Sequence, residues 1–290
     1  MTYSEIWHRI ATSYDDGEAR AIARILIEEL FGLSYADIVC GATDQLSADD
    51  TLRLDTAVRR IEQGEPLQHV LGYADFCGNR FCVNGSVLIP RPETEWLVDE
   101  GAKLMSTTAT SSPKRILDIG TGSGCIAISL KLRLGDAYVE AWDISEEALR
   151  TAQDNADALK AEVVFRKRDA LRADNTAAPW DLIVSNPPYI CDSERSAMDD
   201  NVLLHEPHTA LFVPDDDPLR FYRAIARYAL LTLNIGGSLL FECNTRYAEA
   251  TGKMLSDMGF EEVTVSDDCF GLPRFVRGSS PSQPSPSGRA

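Results

Sequence analysis

Leu117-Asp118-Ile119-Gly120-Thr121-Gly122-Ser123-Gly124 decides how this 290-residue chain is read. The apolar run 115–119 reads as a buried strand, the alternate glycines as a tight bend, and residues from Ile126 onward as the helix that follows. Glycine lets the backbone pass close beneath a ligand, and a helix start offers unpaired N–H groups. On its own the pattern is weak, because glycine bends also end strands for purely structural reasons.

Working outward, further apolar runs at 138–142, 163–165, 182–185 and 238–241 alternate with helical stretches at 124–134, 145–160 and 218–233. Such alternation predicts an α/β, mostly parallel, doubly wound sheet. Stretches 262–266 and 275–277 flank a turn containing Gly271 and Pro273, which predicts an antiparallel hairpin at the sheet edge. Upstream, Asp15-Asp16-Gly17 precedes Ile22, Ile25, Leu26, Leu30 and Leu33 on one helical face. Ser47 and Asp50 form a capping-box pattern ahead of Leu54, Ala57, Val58 and Ile61, with Gly64 placed to end that helix. Residues 1–73 are therefore expected to form a small helical bundle. Phe76, Phe81 and Val83 lie among the turn pairs Gly78-Asn79 and Asn84-Gly85, so residues 74–90 are expected to be a β-hairpin linker. The α/β domain then covers 91–278, and the Ser/Pro-rich stretch 279–290 reads as a disordered tail.

Bulk properties narrow the function. The chain is 44% hydrophobic and 25% charged, and no apolar run is long enough to span a bilayer. An early acid and the lack of a basic segment before an apolar stretch argue against a secretory signal, so a cytoplasmic address is expected. Seven scattered cysteines without Cys-x-x-Cys spacing argue against a disulfide framework or a zinc cage, and His205 and His208 lack the spacing of a helical metal pair. No metal is expected. A net charge of −17 disfavours a direct nucleic-acid partner, and a monomer is expected.

Asp143 closes the second strand, 19 residues after Gly124, where an acid in this fold class accepts hydrogen bonds from two ribose hydroxyls. The alternative is a cap for the helix beginning near Ser145. A dinucleotide loop wants its third glycine where this chain has Cys125, so S-adenosylmethionine, which has no pyrophosphate, fits the bend better than NAD. Ser185-Asn186-Pro187-Pro188-Tyr189 then follows directly on a strand, at the sheet edge where ligands bind. An amide or exocyclic amine is a poor nucleophile because its lone pair is delocalised, so a catalyst must orient the nitrogen and draw on both N–H bonds. Asn186 supplies one acceptor and a backbone carbonyl, assigned to Pro187, the second, held still by the paired prolines. Tyr189 is expected to lie against the planar group or near a sulfonium charge. An ordinary turn is the bland alternative, and a cofactor-sensing module without turnover is the non-enzymatic one.

Glycine bend, acid and Asn-Pro-Pro-Tyr together resemble the amino-methyltransferase branch of the adenosylmethionine-dependent enzymes. Val87-Leu88-Ile89-Pro90-Arg91-Pro92-Glu93-Thr94-Glu95, Pro66 to Gly72, Glu206 to Leu211, and Asp268 with Gly271 and Arg274 are similar to the HemK/PrmC family, the release-factor glutamine methyltransferases. The likeness runs from about residue 5 to 278. It implies a class I Rossmann-like methyltransferase domain behind a helical domain that docks the release factor. The implied reaction transfers methyl from S-adenosyl-L-methionine, leaving S-adenosyl-L-homocysteine, to the glutamine of the Gly-Gly-Gln motif in class 1 peptide-chain release factors. Ribosomal-protein glutamine or nucleic-acid amino groups are the alternative substrates. By the same likeness Asp118, Gly120, Thr121, Gly122, Ser123, Gly124, Asp143, Asp169, Ala170 and Asn186 hold cofactor, while Asn186, Pro187, Pro188 and Tyr189 clamp the glutamine. Arg91 and Glu93 either steer substrate or close the site as a lid, or form an ion pair at the domain junction. Ala170 stands where the family often has an aromatic, so packing against the adenine there is either weaker or supplied by Leu171. Cys243-Asn244 replaces the family's glycine-containing turn.

Overall fold

The computed structural model describes residues 1–107, 113–173 and 179–282. It divides into two compact units: unit 1, residues 1–73 with 198–206, and unit 2, residues 74–197 with 207–290. Nothing in the sequence pattern signals the return of 198–206 to the helical unit.

In unit 1, α1 (Tyr3–Ile10), α2 (Asp16–Phe31), α3 (Tyr35–Val39), α4 (Ala48–Glu62) and α5 (Leu67–Leu71) surround one apolar core that includes Ile6, Ile10, Leu26, Ile27, Leu54 and Ile61. Asp15 caps α2 by accepting from Gly17 and Glu18 N–H, and Ser47 caps α4 by accepting from Asp50 N–H. These satisfy donors that a helix start leaves open. Arg9 on α1 grips α4 through Asp55 and Glu62, each at 2.7 Å.

Unit 2 begins with β1 (Tyr73–Phe76, its first residue still in unit 1) and β2 (Asn79–Cys82). Cys77 and Gly78 both take positive φ (48° and 74°) in the connecting turn, as a two-residue hairpin requires. There follow α6 (Glu95–Thr107), β3 (Arg115–Ile119), α7 (Cys125–Leu134), β4 (Tyr138–Asp143), α8 (Glu146–Leu159), β5 (Val163–Lys167), β6 (Trp180–Ser185) and β7 (Ile190–Cys191). After α9 (Asp200–His205) of unit 1 come α10 (His208–Leu211), β8 (Phe212–Val213), α11 (Arg220–Thr232), β9 (Leu233–Glu242), α12 (Ala248–Met258), β10 (Glu261–Asp267) and β11 (Pro273–Ser279).

Seven strands form one sheet in the order β10-β11-β9-β6-β3-β4-β5. The block β9-β6-β3-β4-β5 is parallel, and β11 and β10 close it antiparallel, in agreement with the sequence pattern. The chain lays β4 and β5 on one side of β3, then crosses back to place β6 and β9 on the other. The order therefore reverses between β3 and β6, and their carboxyl ends open the crevice where an α/β sheet binds ligands. Ile119 pairs in register with Ser185, and the Ser185 hydroxyl donates to the Ile119 carbonyl at 2.6 Å. The glycine bend and the Asn-Pro-Pro-Tyr turn thus leave the sheet side by side.

Apolar layers cover both faces: Leu97, Ile116, Leu130, Leu182 and Leu240 in one core, Leu117, Trp142, Trp180, Ile183, Tyr222 and Phe241 in the other. Trp180 is fully buried and its indole N–H donates to Tyr228 at 3.0 Å, so no buried donor is left open there. Two helices, α6 and α12, are not announced by the sequence pattern, and each carries a mid-helix glycine. A Cβ on Gly101 would lie 3.1 Å from Leu182 Cδ2 and 3.2 Å from Leu130 Cδ2; one on Gly252 would lie 3.0 Å from Val265 Cγ2. Close packing against neighbouring side chains, rather than helix propensity, selects those glycines. β11 runs through Ser279, and Ser280 N–H donates to the Gly237 carbonyl at 2.7 Å, so the stretch expected as tail starts ordered. The expectation for 283–290 lies outside the described residues.

Candidate active site

A cavity of about 360 Å³ opens at the β3/β6 reversal. Among the residues singled out from sequence, Arg91, Gly120, Thr121, Gly122, Ser123, Asp143, Asp169, Ala170, Asn186, Pro187 and Pro188 line it. Asp118, Gly124, Tyr189 and Glu93 do not line it.

The bend is held from below. Gly120 and Thr121 N–H both donate to the Trp142 carbonyl at 2.9 Å, and Gly124 N–H donates to the Thr121 carbonyl at 2.9 Å. Asp118 is fully buried and accepts the Thr121 hydroxyl through Oδ2 at 2.6 Å, while Oδ1 has no hydrogen-bond partner. Burial pushes its carboxyl up to about 7, against the opposing pull of Thr121. Asp118 therefore braces the bend from beneath. Gly124 has φ +82°, and a Cβ there would meet Ile128 Cδ1 at 2.9 Å and Ala152 Cβ at 3.1 Å. This is the close helix contact for which the third glycine exists.

Asp143 lines the cavity and ties the bend to the start of α8. Its Oδ1 accepts from Ser145 N–H and its Oδ2 from Gly122 N–H, each at 2.9 Å, while Ser145 itself caps α8. Each oxygen keeps a second lone pair, so the carboxylate ties bend to helix and still offers acceptors at the cavity. Burial raises its pKa, and those two N–H groups oppose the rise. Asp169 caps the turn 170–172 by accepting from Leu171 N–H at 2.9 Å, which sets Ala170 and Leu171 on the wall. Ile144 also lines the cavity although it is 56% exposed, an apolar surface left at the rim that no sequence pattern announces.

The second half of the site is built from distant side chains. Asn186 Nδ2 donates to Thr94 Oγ1 at 3.4 Å, and Thr94 donates to Glu242 Oε2 at 2.7 Å. The Tyr189 hydroxyl donates to Glu242 Oε1 at 3.2 Å, and Asn244 Nδ2 donates to the Tyr189 carbonyl at 3.3 Å. Burial raises the Glu242 pKa, opposed by Thr94, the Arg274 guanidinium and Tyr189. Burial likewise raises that of the Tyr189 hydroxyl, helped by the Glu242 charge, so Tyr189 stays a neutral phenol. Asp268 accepts from Phe270 and Leu272 N–H and from Arg274 Nε at 2.7 Å, which holds Arg274 in place. No sequence signal marks Thr94 or Glu242 as site residues or gives Asn244 a role; only proximity across the fold connects them.

The residues fit S-adenosylmethionine. Asp143 would take the ribose hydroxyls, Ile144 and Leu171 the adenine, and the Gly120–Gly122 bend the amino-acid portion. A side chain at Gly120 would point at the Asn186 carbonyl, 3.9 Å from its Cβ position, so the bend adjoins the turn that would hold an acceptor. Fold and cavity define a class I S-adenosylmethionine-dependent methyltransferase. Comparison with known proteins agrees. Residues 8–72 match the family described as PrmC N-terminal domain, and residues 95–211 match the Methyltransferase small domain. A release factor glutamine methyltransferase of Bacteroides thetaiotaomicron is 44% identical over 91% of this chain and 93% of its own length; one of Flavobacterium psychrophilum is 38% identical over 92% and 94%. The chain belongs to the release factor glutamine methyltransferase family. Among solved structures, the hMettl16 catalytic domain in complex with MAT2A 3′UTR hairpin 6 matches with TM-score 0.55 at 18% identity, over 82% of this chain and 83% of that one. A methyltransferase from Pyrococcus furiosus matches with TM-score 0.50 at 13% identity, over 81% and 100%. These two share the fold.

Among the described residues no group of three or more His, Cys, Asp or Glu side chains could hold a metal, and no helix is long and apolar enough to cross a membrane.

Proposed function

We propose that the chain transfers a methyl group from S-adenosylmethionine to the side-chain amide nitrogen of the glutamine in the Gly-Gly-Gln motif of class 1 peptide-chain release factors. The observation that carries this reading is the adjacency of the two loops: Asn186, Pro187 and Pro188 share one cavity wall with the glycine bend. When bound, the cofactor supplies a methyl group already activated by its sulfonium sulfur. The chain's task is to orient an unreactive nitrogen. Asn186 Oδ1 and the Pro187 carbonyl accept the two amide hydrogens, which fixes the amide plane and turns the nitrogen toward the bend. Tyr189, its hydroxyl tied to Glu242 and its carbonyl to Asn244, anchors the turn rather than exchanging a proton. Arg91 lines the cavity, which supports a substrate-side role for it; Glu93 does not line it.

Unit 1 is assigned the docking of the release factor, which fits its match to the PrmC N-terminal description. The proposed substrate fits an enzyme of the cytoplasm, and a monomer is the proposed state. Incubation with methyl-labelled cofactor and a purified class 1 release factor should place label on the Gly-Gly-Gln glutamine, read as a 14-dalton addition by mass spectrometry. A protein that binds cofactor but labels no release factor would sink the assignment, and label in ribosomal protein or RNA would move it to the alternative substrates.

A further inference from the structure

Thr94 lies in the signature segment preceding α6, 92 residues before Asn186 and 148 before Glu242, and it touches both side chains. It is 3% exposed and Glu242 is 2% exposed, so both are withdrawn from bulk solvent. An ionised carboxylate only accepts hydrogen bonds, whereas a hydroxyl has one proton and two lone pairs. Glu242 Oε2 takes the Thr94 proton at 2.7 Å and Oε1 takes the Tyr189 proton at 3.2 Å. Both hydroxyl protons are then committed. Toward Asn186, Thr94 has only lone pairs left, and only the Nδ2 end of an asparagine amide can face them.

We propose that Thr94 is a positioning residue: bound to Glu242, it selects the one orientation of the Asn186 amide that leaves Oδ1 as the acceptor for the substrate nitrogen. The reversed amide would set oxygen against oxygen at Thr94 and present hydrogens to a substrate that also brings hydrogens. Glu242 sets the polarity of both ends of the turn, since the same carboxylate holds the Tyr189 hydroxyl. The groups facing it are Thr94 and Glu93 from the segment before α6, Tyr189, Arg274 from β11, and Tyr222 from α11, whose hydroxyl donates to the Glu242 carbonyl at 3.3 Å. Protonation of Glu242 would let it donate to Thr94 and free the hydroxyl to turn toward Asn186, which would loosen the selected orientation at acid pH.

The role rests on the glutamine-amide reading of the site, and the test separates the two. Thr94→Val keeps the shape and removes the hydroxyl; Thr94→Ser keeps the hydroxyl. With a release factor as substrate, Thr94→Val should lower kcat by about 10- to 100-fold with the Kd for S-adenosylhomocysteine unchanged, and Thr94→Ser should stay within about threefold of the parent. Glu242→Gln, whose amide can donate as the protonated carboxyl would, should lower kcat in the same direction as Thr94→Val. Independently of any substrate, the side-chain amide resonances of Asn186 in selectively ¹⁵N-labelled protein should move in Thr94→Val and stay in place in Thr94→Ser. An active parent whose Thr94→Val variant keeps its kcat, or a Thr94→Ser variant as slow as Thr94→Val, overturns the positioning role and leaves the substrate assignment standing. A parent that labels no release factor removes the substrate assignment, and the Asn186 resonances then decide the orientation alone: unmoved in Thr94→Val, they overturn it.

Discussion

Within the glycine bend, Gly120, Thr121 and Gly122 are held by the Trp142 carbonyl and the Asp143 carboxylate, about twenty residues further along the chain. The Asn-Pro-Pro-Tyr turn is held differently: Asn186 by Thr94 at a separation of 92 residues, Tyr189 by Glu242 at 53 and by Asn244 at 55. The first loop is backbone held by near neighbours in the chain: the Trp142 carbonyl, the Asp143 carboxylate and, through Thr121, the Asp118 carboxylate. The second is made of side-chain polarity gathered from remote segments. Binding a cofactor common to many enzymes needs only the first, whereas orienting a particular acceptor nitrogen needs the second.

Substitutions can break either half selectively. The largest effect is expected from Asn186→Ala, which removes one of two acceptors for the substrate amide: methyl transfer should fall by about 10²–10³-fold while S-adenosylhomocysteine affinity, read by calorimetry, stays within about threefold. Equal loss of affinity and rate would mean that the two halves are one unit. Gly124→Ala attacks the other side, since its Cβ would sit 2.9 Å from Ile128 at a φ of +82°. It should cost about 1–3 kcal/mol of stability and weaken cofactor binding, seen as a lower Tm and a smaller Tm gain on adding S-adenosylhomocysteine.

Asp118 gives a pH-dependent probe of the brace beneath the bend. Its folded-state pKa, about 7, lies above the ordinary aspartate value, so the folded protein holds its proton more tightly than the unfolded chain. The stability from that proton is fully present below about pH 4 and is lost as pH rises through 7. Asp118→Asn, which cannot ionise, should therefore gain Tm relative to the parent as pH goes from about 5.5 to about 8; a constant difference would show that Asp118 does not titrate in this window. The smallest effect on the site belongs to Asn244→Ala, which removes the bond to the Tyr189 carbonyl along with those to Glu194 and the Arg246 N–H; loss of the Tyr189 bond, about 0.5–1.5 kcal/mol, should read as a KM increase for the release factor with the cofactor Kd unchanged.

Most of the cofactor half is legible in the spacing of the sequence. Gly120, Gly122 and Asp143 announce themselves because a bend and the acid on the next strand occur at fixed offsets, and all three stand on the cavity wall. Asp118 and Gly124 belong to the same motif yet do not line the cavity, a distinction that spacing cannot express. The prolines mark the acceptor turn, but nothing in Ile89 to Glu95 says which of its residues turns inward; Arg91 and Glu93 stand out as charges, and Thr94 makes the contact to Asn186. Helices α6 and α12 are hard to see in the sequence because Gly101 and Gly252 weaken the helical pattern for reasons that lie in the packed neighbours.

Sequence alone determined the strand–bend–helix periodicity, the parallel sheet with its antiparallel edge, and the resemblance that names the reaction, because these depend on spacing along one chain. Tertiary structure alone decided that β3 and β6 lie side by side, that 198–206 belongs with the helical unit, and that Thr94, Glu242 and Asn244 converge on the Asn-Pro-Pro-Tyr turn. Hydrogen-bond polarity between groups so far apart in the chain has no local signature. It exists only once folding has removed those groups from water and left each proton a single acceptor.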